Sequence, residues 1–338
     1  MMSLRSLAFG MLLIIAAATA YFLFKSYTPP IFSSDAVAEL TAVEINGDRQ
    51  FLLIRGKDSK APVVLFLHGG PGMPAMYLAH AFQRSWEDDF VIVHWDQRAS
   101  GKSFKEGSDA DLMRTSQLID DAEEVVEYLR GRFPDQRLYL FGHSHGSYLG
   151  AILASRHPDW LSAYIGVGQV ADEAEAMKLQ DAFLKPRLSE FGYDPETVLD
   201  EALREELLFK TRSEIYGETS FIPLLLTGLL APEYSLFDAL NVGKGSSFSS
   251  AHMKRDVISG SPMTDLRDFD TPVYFIMGAQ DMVTPTSLAR TYFDQIEAPA
   301  KEFHIVERSA HFPFFEQPEA VLSILKRIAA ADNVVSEP

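Results

Sequence analysis

The chain contains no cysteine among its 338 residues. That excludes disulfides, a thiol nucleophile and any zinc site built on cysteine. Positive charge is also scarce, with 30 lysines and arginines against 47 aspartates and glutamates and a formal net charge of -17. Nucleic acids and anionic lipid surfaces are held mainly by lysine and arginine, so neither is expected as a partner. Internal repeats and low-complexity tracts are missing too, which excludes solenoids and disordered arrays. What remains is ordinary globular composition, 47% hydrophobic and 23% charged, enough for one large domain or one domain with an insertion.

The informative segment is Gly142-His143-Ser144-His145-Gly146. It lies between a strand-like run, Leu138 to Phe141, and a helix-like run, Tyr148 to Arg156. A serine at such a strand-to-helix turn has its hydroxyl lifted clear of the sheet, and glycines two residues away on each side remove clashing side chains. A second glycine-rich loop, His68-Gly69-Gly70-Pro71-Gly72, follows the apolar run Val63 to Leu67. In α/β-hydrolases that loop supplies one oxyanion-hole amide and the residue after the nucleophile supplies the other. Here these are the amides of Gly70 and His145.

The order of catalytic groups in this fold is serine, then an acid, then histidine. Asp281 follows the run Val273 to Met277 through Gly278-Ala279-Gln280, which puts it on a loop leaving a buried strand. Downstream of it only His304 and His311 are available. His304 falls within the alternating segment Phe303-His304-Ile305-Val306 and reads as a strand residue. His311 sits in a loop ahead of a helix opened by Pro318, and is assigned as the general base. Ser144 is then the nucleophile and Asp281 the group that orients the imidazole. This chemistry needs no metal or organic cofactor.

Two strand-like stretches, Leu40 to Ile45 and Phe51 to Ile54, are joined by Asn46-Gly47-Asp48, a hairpin signal. From Val63 onward strands and helices alternate, which predicts an α/β fold with a mainly parallel central sheet covered on both faces. Ser144 and Asp281 are 137 positions apart, far more than one helix and one strand require. An inserted helical cap accounts for the excess. The expected organisation is an N-terminal anchor and linker (1–30), a first core segment (31–170), the cap (171–262) and a second core segment (263–338).

Leu7 to Phe24 is 18 residues without a charge, bounded by Arg5 and Lys25. As a helix rising about 1.5 Å per residue it would nearly match a hydrocarbon core, so the N-terminal helix is expected to sit in a membrane. Ala18-Thr19-Ala20 resembles a signal-peptidase site, but apolar residues continue past it, favouring an uncleaved anchor over secretion. Either way the catalytic domain is expected outside the cytoplasm, periplasmic or extracellular.

With these residues in place, the chain resembles the proline iminopeptidase (prolyl aminopeptidase, S33) family of α/β-hydrolases over roughly residues 40 to 330. The resemblance rests on His68-Gly69-Gly70-Pro71-Gly72, Asp96-Gln97-Arg98-Ala99-Ser100-Gly101, the turn at Ser144, Gly278-x-x-Asp281 and Ala310-His311. It implies a serine hydrolase that releases an N-terminal residue such as proline from short peptides through an acyl-enzyme. It also implies that acidic cap residues hold the free amino group. Glu173, Glu175, Glu205, Glu206 and Glu214 are the candidates. The rival readings are a carboxylesterase, lactonase or amidase with the same catalytic groups, and a binding protein on the hydrolase scaffold.

Overall fold

The computed structural model describes residues 4–335; the outermost positions of the first and last expected segments, 1–3 and 336–338, lie outside the described residues. Eight strands form one sheet: β1 (Val37–Ile45), β2 (Asp48–Gly56), β3 (Val63–Leu67), β4 (Val91–Asp96), β5 (Leu138–His143), β6 (Ala163–Val167), β7 (Val273–Gly278) and β8 (Lys301–Val306). Their order is β1-β2-β4-β3-β5-β6-β7-β8. β1 pairs antiparallel with β2 and β2 with β4, and every pairing from β4 to β8 is parallel.

The hairpin is where the sequence places it. Asn46 and Gly47 both take positive φ, 45° and 71°, the geometry that lets a two-residue loop follow the twist of its strands. The inner parallel strands β3, β5, β6 and β7 are buried along their whole length and largely apolar because both faces are covered, whereas the edge strand β8 is partly exposed. In β3, Val63, Leu65 and Leu67 belong to the hydrophobic cluster on one face, and Val64 and Phe66 to the cluster on the other.

The helices are α1 (Leu4–Phe24), α2 (Ala79–Phe82), α3 (Thr115–Arg132), α4 (His145–Arg156), α5 (Glu173–Leu184), α6 (Glu201–Lys210), α7 (Ile222–Leu229), α8 (Leu236–Ser259), α9 (Pro262–Asp265), α10 (Thr286–Gln295), α11 (Pro313–Glu316) and α12 (Pro318–Val335). All helices from α5 to α9 fall between β6 and β7. This insertion has a small apolar cluster of its own, including Leu184, Leu188, Leu207 and Leu208. It is also tied to the sheet: Tyr234 donates its hydroxyl to the buried Asp96 at the end of β4, and Lys102 Nζ lies 2.7 Å from Asp238 at the start of α8.

The expectation of a membrane anchor is corrected. Among the described residues no helix is long and apolar enough to cross a membrane. Leu7 to Phe24 lies within α1, but the residues that follow it are bonded to protein. Lys25 is buried and donates to Leu229 O at 2.6 Å, Tyr27 N donates to Pro232 O at 3.2 Å, and Thr28 Oγ1 donates to Glu233 Oε1 at 3.0 Å. The N-terminal segment is thus docked on the insertion around Leu229 to Glu233, and the placement outside the cytoplasm that followed from an anchor falls with it.

Candidate active site

In chain order β3 leads to β4 on one side, while β5 lies on the other side of β3. The chain therefore reverses direction between β3 and β5, and open α/β sheets offer a crevice at the carboxyl ends of such strands. The loop after β3 and the turn after β5 meet there. Ser144 sits alone between β5 and α4 with φ 54° and ψ -126°, a conformation that non-glycine residues seldom adopt. The turn packs closely against the end of β3, where a Cβ at Gly146 would run into the carbonyl oxygen of Leu67. A Cβ at Gly69 would stand 2.7 Å from Ser144 Cβ, so the glycine loop lies directly against the serine.

Residues from the far ends of β7 and β8 complete the site. His311 Nδ1 is 2.9 Å from Asp281 Oδ2. A carboxylate only accepts, so Nδ1 carries the hydrogen and Nε2 presents its lone pair. Asp281 is itself fixed by Val283 N at 2.9 Å, Thr284 N at 3.0 Å and Thr284 Oγ1 at 2.8 Å. Burial lowers the affinity of the His311 imidazole for a proton, but the charge and hydrogen bond of Asp281, with Glu214 and Glu316 adding, raise its pKa above the ordinary histidine value.

Two cavities meet at the serine. The first, about 400 Å³, is lined by Ser144, Gly70, His145, Glu173, Glu201 and Glu205 among others. The second, about 340 Å³, is lined by Ser144, Gly70, His143, His311, Glu205 and Glu214 among others. Glu173 is buried enough for its carboxyl to be raised above the usual range, and Glu214 is pushed up to about 8, with burial the main cause in both. Neither Glu173 nor Glu205 forms an ion pair among the described residues, whereas Lys254 in the first cavity pairs with Glu201 and Arg204 with Asp181 at 2.8 Å.

The structure thus brings together Ser144, Asp281, His311, Gly70, His145, Glu173, Glu205 and Glu214. It leaves out Glu175, which pairs with Lys178 at 2.5 Å on the outer side of α5, and Glu206, which pairs with Lys210 at 2.5 Å. His304 lies within β8, as its alternating segment implies.

Three supporting residues escaped the sequence reading. Thr284 braces Asp281, and the Asp-x-x-Thr spacing ahead of α10 is a local signal for it. His143 Nε2 donates to the main-chain oxygen of His311 at 2.8 Å, which no local pattern announces. His68 is held by the Asp96-to-Gly101 segment: Gln97 N donates to its Nε2 at 3.1 Å, so its Nδ1 carries hydrogen and donates to Gly69 O at 2.9 Å. That bond fixes the peptide whose nitrogen belongs to Gly70. Burial takes the His68 pKa down to about 4, so the ring is neutral at pH 7.

A parallel sheet with a strained serine at the switch point and a histidine bonded to an acid defines the class: this is an α/β-hydrolase. Residues 62–318 match the family model described as alpha/beta hydrolase fold, and the chain belongs to that family. It is similar to the probable aminopeptidase YbaC of Bacillus subtilis, 29% identical over 311 residues, covering 87% of this chain and 97% of that protein. The proline iminopeptidase of Clostridioides difficile is 27% identical over 280 residues, covering 79% of this chain and 89% of the relative. Among solved structures, the proline iminopeptidase of Mycobacterium smegmatis superposes with a TM-score of 0.66 at 18% identity, covering 88% of this chain and all of the other. With these relatives the chain is a serine hydrolase.

Proposed function

We propose that the protein is an aminopeptidase that releases the N-terminal residue, proline among the candidates, from short peptides through an acyl-enzyme. The observation that carries this reading is the pair of carboxylates without ion-pair partners, Glu173 and Glu205, in the cavity that opens on Ser144. A free amino terminus is the substrate group such carboxylates recognise. The names of the relatives agree with it.

In this mechanism Ser144 attacks the carbonyl of the N-terminal residue while His311 Nε2 takes the hydroxyl proton. Asp281 holds the imidazole in the Nδ1-protonated tautomer and stabilises its charged form. The amides of Gly70 and His145 receive the negative charge of the tetrahedral intermediate. The carbon–nitrogen bond then breaks, the leaving nitrogen takes the proton from His311, and water repeats the sequence on the ester formed with Ser144. Glu173 and Glu205 hold the ammonium group throughout, with Glu214 beside His311.

The test compares prolyl and alanyl aryl-amides with short-chain aryl esters, using Ser144→Ala as the control. Turnover of the aminoacyl amides is expected. Hydrolysis of esters alone would end the peptidase reading in favour of an esterase, and failure of a fluorophosphonate to label Ser144 in folded protein would favour a binding protein.

A further inference from the structure

The two cavities differ in what they can accept, and the catalytic histidine belongs to only one of them. His311 must hand its proton to the departing nitrogen, so the leaving part of the substrate has to lie where His311 is exposed. That is the second cavity, whose lining includes His311, while the first does not include it. The acyl residue is left with the first cavity and its carboxylates.

The second cavity is walled by Met73, Tyr77, Phe209, Phe221, Phe312 and Phe314. The Phe209 and Phe221 rings pack edge to face with centroids 5.7 Å apart. Its acidic side chains are Glu205 and Glu214, and among the described residues no lysine or arginine lines it. An aromatic wall gains from burying apolar surface, at about 25 cal/mol per Å² removed from water. A substrate carboxylate brought into this cavity would give up water against an aromatic wall, beside Glu205 and a Glu214 that keeps its proton, with no lysine or arginine to pair with it. Lysine and arginine occur only in the first cavity, as Lys254 and Arg204.

We propose that the second cavity is the subsite for the leaving group and that it selects an apolar second residue whose own carboxyl is blocked or further along the chain. The preferred substrates are then aminoacyl compounds with an uncharged, apolar or aromatic leaving part, not free dipeptides. This rests on the aminopeptidase reading above, with Ser144 and His311 in their stated roles. Phe221 is a specificity-determining residue in this account.

The experiment holds the N-terminal residue constant, as alanine and as proline, and varies what leaves: phenylalanine amide, phenylalanine with a free carboxyl, and glycine amide. Aminoacyl 4-nitroanilides report the basic activity separately. The expected result is kcat/KM at least tenfold higher for the phenylalanine amide than for the free acid. Phe221→Ala, with its fold checked by thermal melting, is expected to lower the ratio of phenylalanine amide to glycine amide at least fivefold. Nitroanilide turnover together with equal use of the free acid would overturn the subsite while leaving the aminopeptidase reading intact, and so would an unchanged ratio in folded Phe221→Ala. No turnover of any aminoacyl compound would remove both.

Discussion

His143 donates its Nε2 hydrogen to the main-chain carbonyl of His311, so the residue preceding the strained serine braces the loop that carries the imidazole. The two rings also pack with centroids 4.8 Å apart. Burial drives the His143 pKa well below the ordinary value, so the ring acts as a neutral donor. His143→Phe keeps the ring volume and removes the donor, leaving a buried carbonyl unpaired at a cost of about 1–3 kcal/mol. A lower Tm is expected, with kcat reduced about tenfold and KM nearly unchanged. His143→Gln retains an N–H and should recover part of kcat. Equal kcat in wild type and His143→Phe would remove the bracing role.

The proposed reacting groups act as a unit, and their removal should be non-additive. Ser144→Ala and His311→Ala are each expected to lower kcat by several orders of magnitude, and the double variant hardly further. Asp281→Asn should cost on the order of 10⁴ in kcat by favouring the wrong imidazole tautomer. Single-substrate kinetics on an aryl-amide decides this. A double variant much slower than either single variant would show that the two residues do not share one step.

Much of this site is legible in the sequence because its parts are local. A serine between a strand and a helix, a glycine loop after a strand and a histidine before a proline-initiated helix each carry a short-range signature. The cavity residues do not, because their meeting depends on how the insertion lies over the sheet. Glu173 and Glu175 show the limit. Two residues apart on a helix of 3.6 residues per turn, they point to nearly opposite sides, so only one can face the serine. The sequence offers both, and packing chooses Glu173. The N-terminal run fails differently: its apolar length is plain, but the hydrogen bonds of Lys25, Tyr27 and Thr28 to the insertion are tertiary contacts that hydropathy does not contain.

If Glu173 and Glu205 hold the substrate ammonium, neutralising them should separate substrates by charge. Glu173→Gln and Glu205→Gln are each expected to raise KM for aminoacyl amides about tenfold or more, the scale of one charge-assisted hydrogen bond. Aryl esters without an amino group should be affected far less. Steady-state kinetics on both substrate types checks this, and a parallel loss on amides and esters would make the two glutamates structural.

The raised pKa of His311 fixes the direction of the acid limb. The base must be neutral to take the Ser144 proton, so activity is lost as pH falls through the His311 value, which lies above the ordinary 6.5. The kcat/KM profile should therefore fall off on the acid side at a pH above 6.5. An acid limb near pH 5 would mean that Asp281 does not hold the imidazole in the working enzyme.

Glu214 links the site to stability. Its carboxyl is pushed from 4.5 up to about 8, mainly by burial, with Glu205 and Asp281 adding and His311 opposing. Below about pH 4.5 the folded and unfolded chains both hold this proton. Between there and about pH 8 the unfolded chain releases it while the folded one keeps it, so the contribution to stability declines as pH rises. Glu214→Gln lacks the titration, and other groups cancel when the variant is compared with wild type at each pH. The Tm of Glu214→Gln relative to wild type should thus climb between pH 5 and pH 8.5, by several degrees. A difference that stays flat over that range would mean that Glu214 ionises as a solvated carboxylate, with no buried proton beside His311.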